Sequence, residues 1–257
     1  MNNTFVLKRF GRYFRHDLAS VRDNFGLTLL IAGLLPVIVW FFTQTVHRIC
    51  SGTWVDDGRP SQIMAFVTSY LIMMLSYPSK VYGSLTERSA GSQWILLPAS
   101  AFEKWLSMIL ISCVVMPVVW SVLLLGSDML MSLTPGYGKS AAYYIFIGNA
   151  NHVRLNVFKV LCLEWLCNIL AWLLGAIWFK RGKVSKTFLV LIGVGFVISI
   201  LSVLLVGYAH IGFDTGIYYD DIGDYISKAN LQLYIICWSW ISVMLVLTYL
   251  RVRTIRH

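Results

Sequence analysis

Thr134-Pro-Gly-Tyr-Gly-Lys-Ser140 is the stretch of this chain whose residue types come nearest to chemistry. Its end has the Gly-Lys-Ser order of a phosphate-binding loop. Such a loop also needs a glycine five residues before the Gly-Lys pair, where Leu133 stands. It should follow a strand, so that backbone N–H groups converge on phosphate. Here an apolar run precedes it, so the stretch reads as a turn and the chain shows no nucleotide site of its own. Hydrolytic chemistry has no better support. There is no HExxH and no GxSG, and the five histidines are scattered. No catalytic residue is assigned, and the chain is not expected to be an enzyme.

Metal and redox chemistry fare similarly. Asp214, Asp220, Asp221 and Asp224 form an acidic patch, but without the alternating ligands and glycine of a calcium loop. Tyr218, Tyr219 and Tyr225 beside them suit the headgroup level of a membrane. The five cysteines are odd in number, include no CxxC and lie mostly in apolar runs. No metal site and no cofactor is assigned. Glu164 stands out as an acid well inside an apolar run, with Asn168 one turn away and Lys159 nearer the outer end at an i, i+5 offset poor for pairing. Two readings stay open for it: a polar point on a substrate path or subunit interface, or an outer-leaflet carboxylate that snorkels or is protonated.

The elements that carry these residues follow from composition. Of 257 residues, 58% are hydrophobic and 13% charged, against about 25% charged in a soluble domain. Six apolar segments run about Phe25–Val46, Gln62–Tyr82, Trp105–Gly126, Val157–Phe179, Thr187–His210 and Leu231–Leu250. Each is about 20–24 residues, enough at 1.5 Å per residue to cross a ~30 Å hydrocarbon core. Helices are the natural choice, because a chain in lipid must satisfy its own backbone. The fold expected is all-α, a single polytopic domain over residues 1–257 with six transmembrane helices in the lipid bilayer. No cleavable signal peptide is expected, because the first long apolar run lacks an A-x-A-like exit.

Of the 21 Lys and Arg residues, 15 fall on one set of flanks, including Lys8, Arg9, Arg12, Arg15, Arg22, Lys183 and Arg251. The positive-inside rule puts those flanks, and both termini, in the cytoplasm. The net charge of +9 is thus a topology signal. With no glycine-aromatic RNA signature and no zinc-finger spacing, nucleic acid is not an expected partner. Residues 5–22 read as a separate basic amphipathic helix lying in the inner membrane interface, with Phe10, Tyr13 and Phe14 among its apolar anchors.

Between the second and third spans lies a polar insert. Ser84-Leu-Thr-Glu87 matches a capping box, so a short helix is expected over residues 84–97. Pro98 should end it. Ser100-Ala-Phe-Glu103 is a second capping box, opening the third span, with Lys104 and Trp105 at its interfacial start. Ser84, Ser100 and Glu103 are therefore the expected helix caps. Ser89, Ala90, Gly91 and Ser92 give the short helix a low profile. Glu87, Arg88, Gln93 and Trp94 offer charge, hydrogen bonding and one large anchor for a partner's groove. A lipid-lying linker is the competing reading.

Glu87-Arg88-Ser-Ala-Gly, then Leu97-Pro-Ala-Ser100 and Glu103-Lys104-Trp105, placed between spans two and three, resemble bacterial permease subunits of the type-2 ABC transporter family. The organisation is similar over nearly the whole chain, and the motifs over about residues 83–105. The resemblance implies a bacterial plasma (inner) membrane location and a cytoplasmic coupling helix that contacts a separate ABC ATPase subunit. Glu87, Arg88, Gln93 and Trp94 would make that contact, and Glu103 would cap the following span. It also implies a second permease subunit, as a homodimer or with a related chain, ATP and Mg held by the partner, and export as the direction. The outer connection between spans five and six departs from the family, being aspartate-rich where many relatives place re-entrant helices. The alternative function is a non-transporting membrane module for immunity, assembly or sensing that binds partners through the same helix.

Overall fold

The computed structural model describes the backbone of residues 5–54, 58–86, 97–141, 143, 151–210 and 222–254, and their side chains outside 151–161, 201–210 and 222–233. Every element among these residues is helical. The helices are α1 (Leu7–Gly33), α2 (Leu35–Ser51), α3 (Arg59–Val81), α4 (Ala101–Met131), α5 (Asn151–Trp178), α6 (Lys183–His210) and α7 (Ile222–Thr254). A 3₁₀ turn, Gly83–Thr86, follows α3.

Among the described residues three helices are long and apolar enough to cross a membrane, over Ala101–Met131, Lys183–Ile200 and Tyr234–Thr254. The bent pair α1–α2 makes a fourth if it counts as one crossing. The described apolar part of α5, Cys162–Trp178, is shorter, and α3 mixes Thr68, Ser69, Ser76 and Ser79 among its aliphatic residues. The chain is an all-α, multi-pass membrane protein. α3 sits against α1, α2 and α5, and α5 packs in turn on α6 and α7. α6 keeps an apolar surface outward, with Leu189, Ile192 and Phe196 exposed. A helix apolar all round suits hydrocarbon.

The helix boundary expected near residue 22 is absent, and the chain runs helical without a break from Leu7 to Gly33. The drop in charge there marks a change of surroundings, not of backbone. Gly26 alone costs a helix only about 1 kcal/mol. The break falls at Leu34 instead, where α1 and α2 meet at 46°. Pro36, in the first turn of α2, causes it, because proline has no N–H for the carbonyl four residues back.

Two carbonyls lose their helical donors at this bend, and hydroxyls from two other helices replace them. Ser69 Oγ of α3 donates to the Ala32 carbonyl at 2.7 Å. Ser127 Oγ of α4 donates to the Gly33 carbonyl at 2.6 Å, while the Val37 N–H goes to Leu34. Gly33 also lets α1 and α4 approach closely, since a Cβ there would lie 2.5 Å from Leu123 Cβ. α4 carries its own irregularity. Ile111–Val115 is a π turn just before Pro117, and the wider turn absorbs the donor that proline lacks.

Removing either serine strands a buried carbonyl, at about 1 kcal/mol each in a membrane setting. Ser69→Ala should lower the thermal midpoint in detergent more than Ser127→Ala, because Trp120 Nε1 also donates to Ser69 Oγ at 2.7 Å. Unchanged midpoints in both variants would contradict this reading of the bend.

Candidate functional site

The described residues on either side of the polar insert, Gly83–Thr86 after α3 and residues 97–100 before α4, define the site. Glu103 holds the flank before α4. Ser100 and Glu103 form a capping box: Ser100 Oγ accepts from the Glu103 N–H at 3.2 Å, and Glu103 Oε2 accepts from the Ser100 N–H at 2.8 Å. The same carboxylate also serves α1. Val6, the N-cap residue of α1, has no side-chain cap of its own, and its N–H donates to Glu103 Oε1 at 3.0 Å. Arg9 completes the set, with Nε 2.8 Å from Oε2 and Nη2 2.8 Å from Oε1. Glu103 is fully buried, while Arg9 keeps 31% of its side chain exposed. One carboxylate thus lies at two helix N-termini, where the helix dipoles favour negative charge.

A polar seam runs inward from this clasp. Asp17 of α1 is buried, and its Oδ2 accepts from Ser107 Oγ of α4 at 2.7 Å and from the Tyr82 hydroxyl at 3.4 Å. Tyr77 is buried against Tyr82 with its hydroxyl 3.0 Å from Ser112 Oγ.

The flank after α3 is held from a different direction. Lys183 Nζ, at the start of α6, donates to the Gly83 carbonyl at 2.7 Å. Thr86 Oγ1 reaches the Phe179 carbonyl at 3.5 Å, and Leu85 is buried. α7 joins the same end, since Trp105 Nε1 donates to Thr248 Oγ1 at 3.1 Å and Arg251 Nε donates to the Ile177 carbonyl at 3.2 Å. The flank before α4 is therefore held against α1, and the flank after α3 against the α5–α6 turn. Among the described residues, each flank is held by hydrogen bonds to elements distant in sequence.

Glu87, Arg88, Gln93 and Trp94 lie outside the described residues. Ser84 lies within the 3₁₀ turn, and its hydroxyl donates back to the Val81 carbonyl at 3.4 Å. The residues its expected cap would serve are also outside the described residues. Asn168 and Glu164 do come together, though not through the carboxylate: Asn168 Nδ2 donates to the Glu164 carbonyl at 3.0 Å and to the Tyr70 hydroxyl at 3.1 Å. The Glu164 side chain is exposed. Lys159 falls in α5, its side chain outside the described residues. Asp214, Asp220 and Asp221 are outside them too, and Asp224 is described by its backbone alone. Sequence motifs do not single out Asp17, and the charge pattern marks Arg9 only as one of the basic flank residues. The signal for Asp17 was present, because Tyr13, Asp17, Val21 and Phe25 form an i, i+4 buried stripe in which one member is an acid.

At the opposite end, the Thr134–Ser140 stretch forms turns around a fully buried Tyr137. Its hydroxyl donates to Asp128 Oδ1 at 2.6 Å, and Asp128 Oδ2 accepts from the Ala141 N–H at 2.6 Å. Burial and then the bond to Asp128 push the phenol up. Gly58 lets the backbones meet, since a Cβ there would lie 2.2 Å from the Tyr137 carbonyl oxygen. The stretch is an anchor for the loop, with its ring edge-on to Trp40.

No family model, curated protein or solved structure matches the chain.

The clasp predicts a graded response. Glu103→Ala should lower the thermal midpoint more than Glu103→Gln, which keeps an acceptor for one of the two N–H groups but loses the charge facing Arg9. Arg9→Ala should cost little further once Glu103 is alanine. Additive effects in that double-mutant cycle, read from thermal unfolding, would remove Glu103 as the shared partner.

Proposed function

We propose that the chain is the membrane-embedded permease subunit of an ATP-driven transporter of the ABC type, working as an exporter with a separate ATPase subunit. The observation that carries this reading is the double tether of the insert. Its flanks are fixed to α1–α4 through Glu103 and to the α5–α6 turn through Lys183 and Thr86. A load applied to residues 84–97 would reach four helices without passing through solvent. The resemblance of the insert's motifs to type-2 ABC permeases supplies the identity of the load: an ATPase that closes on ATP and draws the insert with it.

In this reading the bent pair α1–α2, with α3, α4, α5, α6 and α7, makes six crossings of a bacterial inner membrane. The basic end faces the cytoplasm by the positive-inside rule, and the first basic turns of α1 meet the headgroups. Glu87, Arg88, Gln93 and Trp94 make the ATPase contact. ATP and Mg belong to that subunit, and a second permease chain, identical or related, completes the membrane path.

Gentle detergent purification should bring down a soluble ATPase with the tagged chain. In liposomes holding both, Arg88→Glu with Trp94→Ala should abolish ATP-dependent transport while leaving ATP hydrolysis by the free ATPase unchanged. Full transport in that double variant would overturn the interface. A tagged chain that binds partners but no ATPase would favour the non-transporting module.

A further inference from the structure

We propose that the groove between α1 and α4 is a binding site for an anionic phospholipid. The groove has a volume of about 410 Å³ and no carboxylate lines it. Arg15 and Arg22 lie along one side, two turns apart on the same face of α1, followed by Phe25 and Leu29, with Met116 and Val119 of α4 opposite. The polarity has a direction. From Arg15 to Leu29 the α1 wall runs about 21 Å, from the basic end toward the bend at Leu34. Phosphate at the arginines would place an acyl chain along the apolar part, which is how a lipid of that leaflet stands.

Both arginines are free to take an anion. Arg15 is exposed and makes no hydrogen bond or ion pair among the described residues. Among the described residues Arg22 bonds only its neighbour Asp23, at 3.2 Å with both side chains exposed, a pair that is easily given up. The groove exists because two features leave it open. Gly26 contributes no side chain to its floor: a Cβ there would meet only Arg22 Cγ, at 3.7 Å. The π turn of α4 sets Val115 into the wall. Basic pockets between membrane helices recognise anionic headgroups in this manner, and the apolar length excludes a soluble anion as the fitting ligand. This inference does not depend on the transporter reading.

Native mass spectrometry of the full chain, titrated with phosphatidylglycerol or phosphatidylcholine in detergent, tests it. Phosphatidylglycerol should be retained at least about tenfold more tightly than phosphatidylcholine. Arg15→Ala and Arg22→Ala should each weaken it about fivefold and together about thirtyfold. Gly26→Leu, which fills the groove and leaves both charges, should weaken it as strongly as the double variant. Arg12→Ala, exposed and outside the groove, should change nothing. If circular dichroism shows an alanine variant misfolded, the glutamine variant is measured in its place. Equal retention of the two lipids, wild-type affinity in the double variant, or displacement by millimolar inorganic phosphate would each overturn the proposal.

Discussion

Pro36 leaves the Ala32 carbonyl without its helical donor, and hydrocarbon offers no water in its place. Much of the bundle's geometry follows from that shortage. Ser69 must stand where α3 meets the end of α1, and Ser127 must stand where α4 does. Gly33 permits the approach that the second bond needs. The bend is therefore a fixed joint where α3 and α4 meet the α1–α2 pair. The π turn ahead of Pro117 and the hydroxyl of Ser69, shared with Trp120, belong to the same response to missing backbone partners.

Glu103 applies that logic to charge. A buried carboxylate is costly unless its lone pairs are filled and its charge is matched. Here two N-terminal N–H groups and one guanidinium do both. Because those groups come from two helices far apart in sequence, satisfying the carboxylate fixes the start of α1 against the start of α4. The Asp17–Ser107–Tyr82 seam extends the contact inward. The clasp ties the flank before α4 to α1, and Lys183 gives the flank after α3 a hold on the α5–α6 turn.

Local chemistry was legible in the sequence and long-range chemistry was not. Ser100-x-x-Glu103 announced its capping box because both partners lie within one turn. The second duty of the same carboxylate, toward Val6 and Arg9, depends on tertiary packing that no spacing encodes. The Thr134–Ser140 stretch was recognisable as a turn from its Pro and Gly residues, but burial of Tyr137 on Asp128 needed the fold. The boundary placed near residue 22 failed because hydropathy reports the solvent around a helix. Pro36 reported the backbone and lay inside the run read as one straight span. α6 was legible as a span, since the described surface of Lys183–Ile200 has little to satisfy except lipid.

Ultraviolet crosslinking in living cells, from a photoreactive amino acid placed at position 94, asks most directly what presses on the insert. The coupling reading predicts one dominant adduct with a soluble protein whose sequence carries a complete phosphate-binding loop. No adduct, or adducts only with lipid or with proteins that bind no nucleotide, would contradict it.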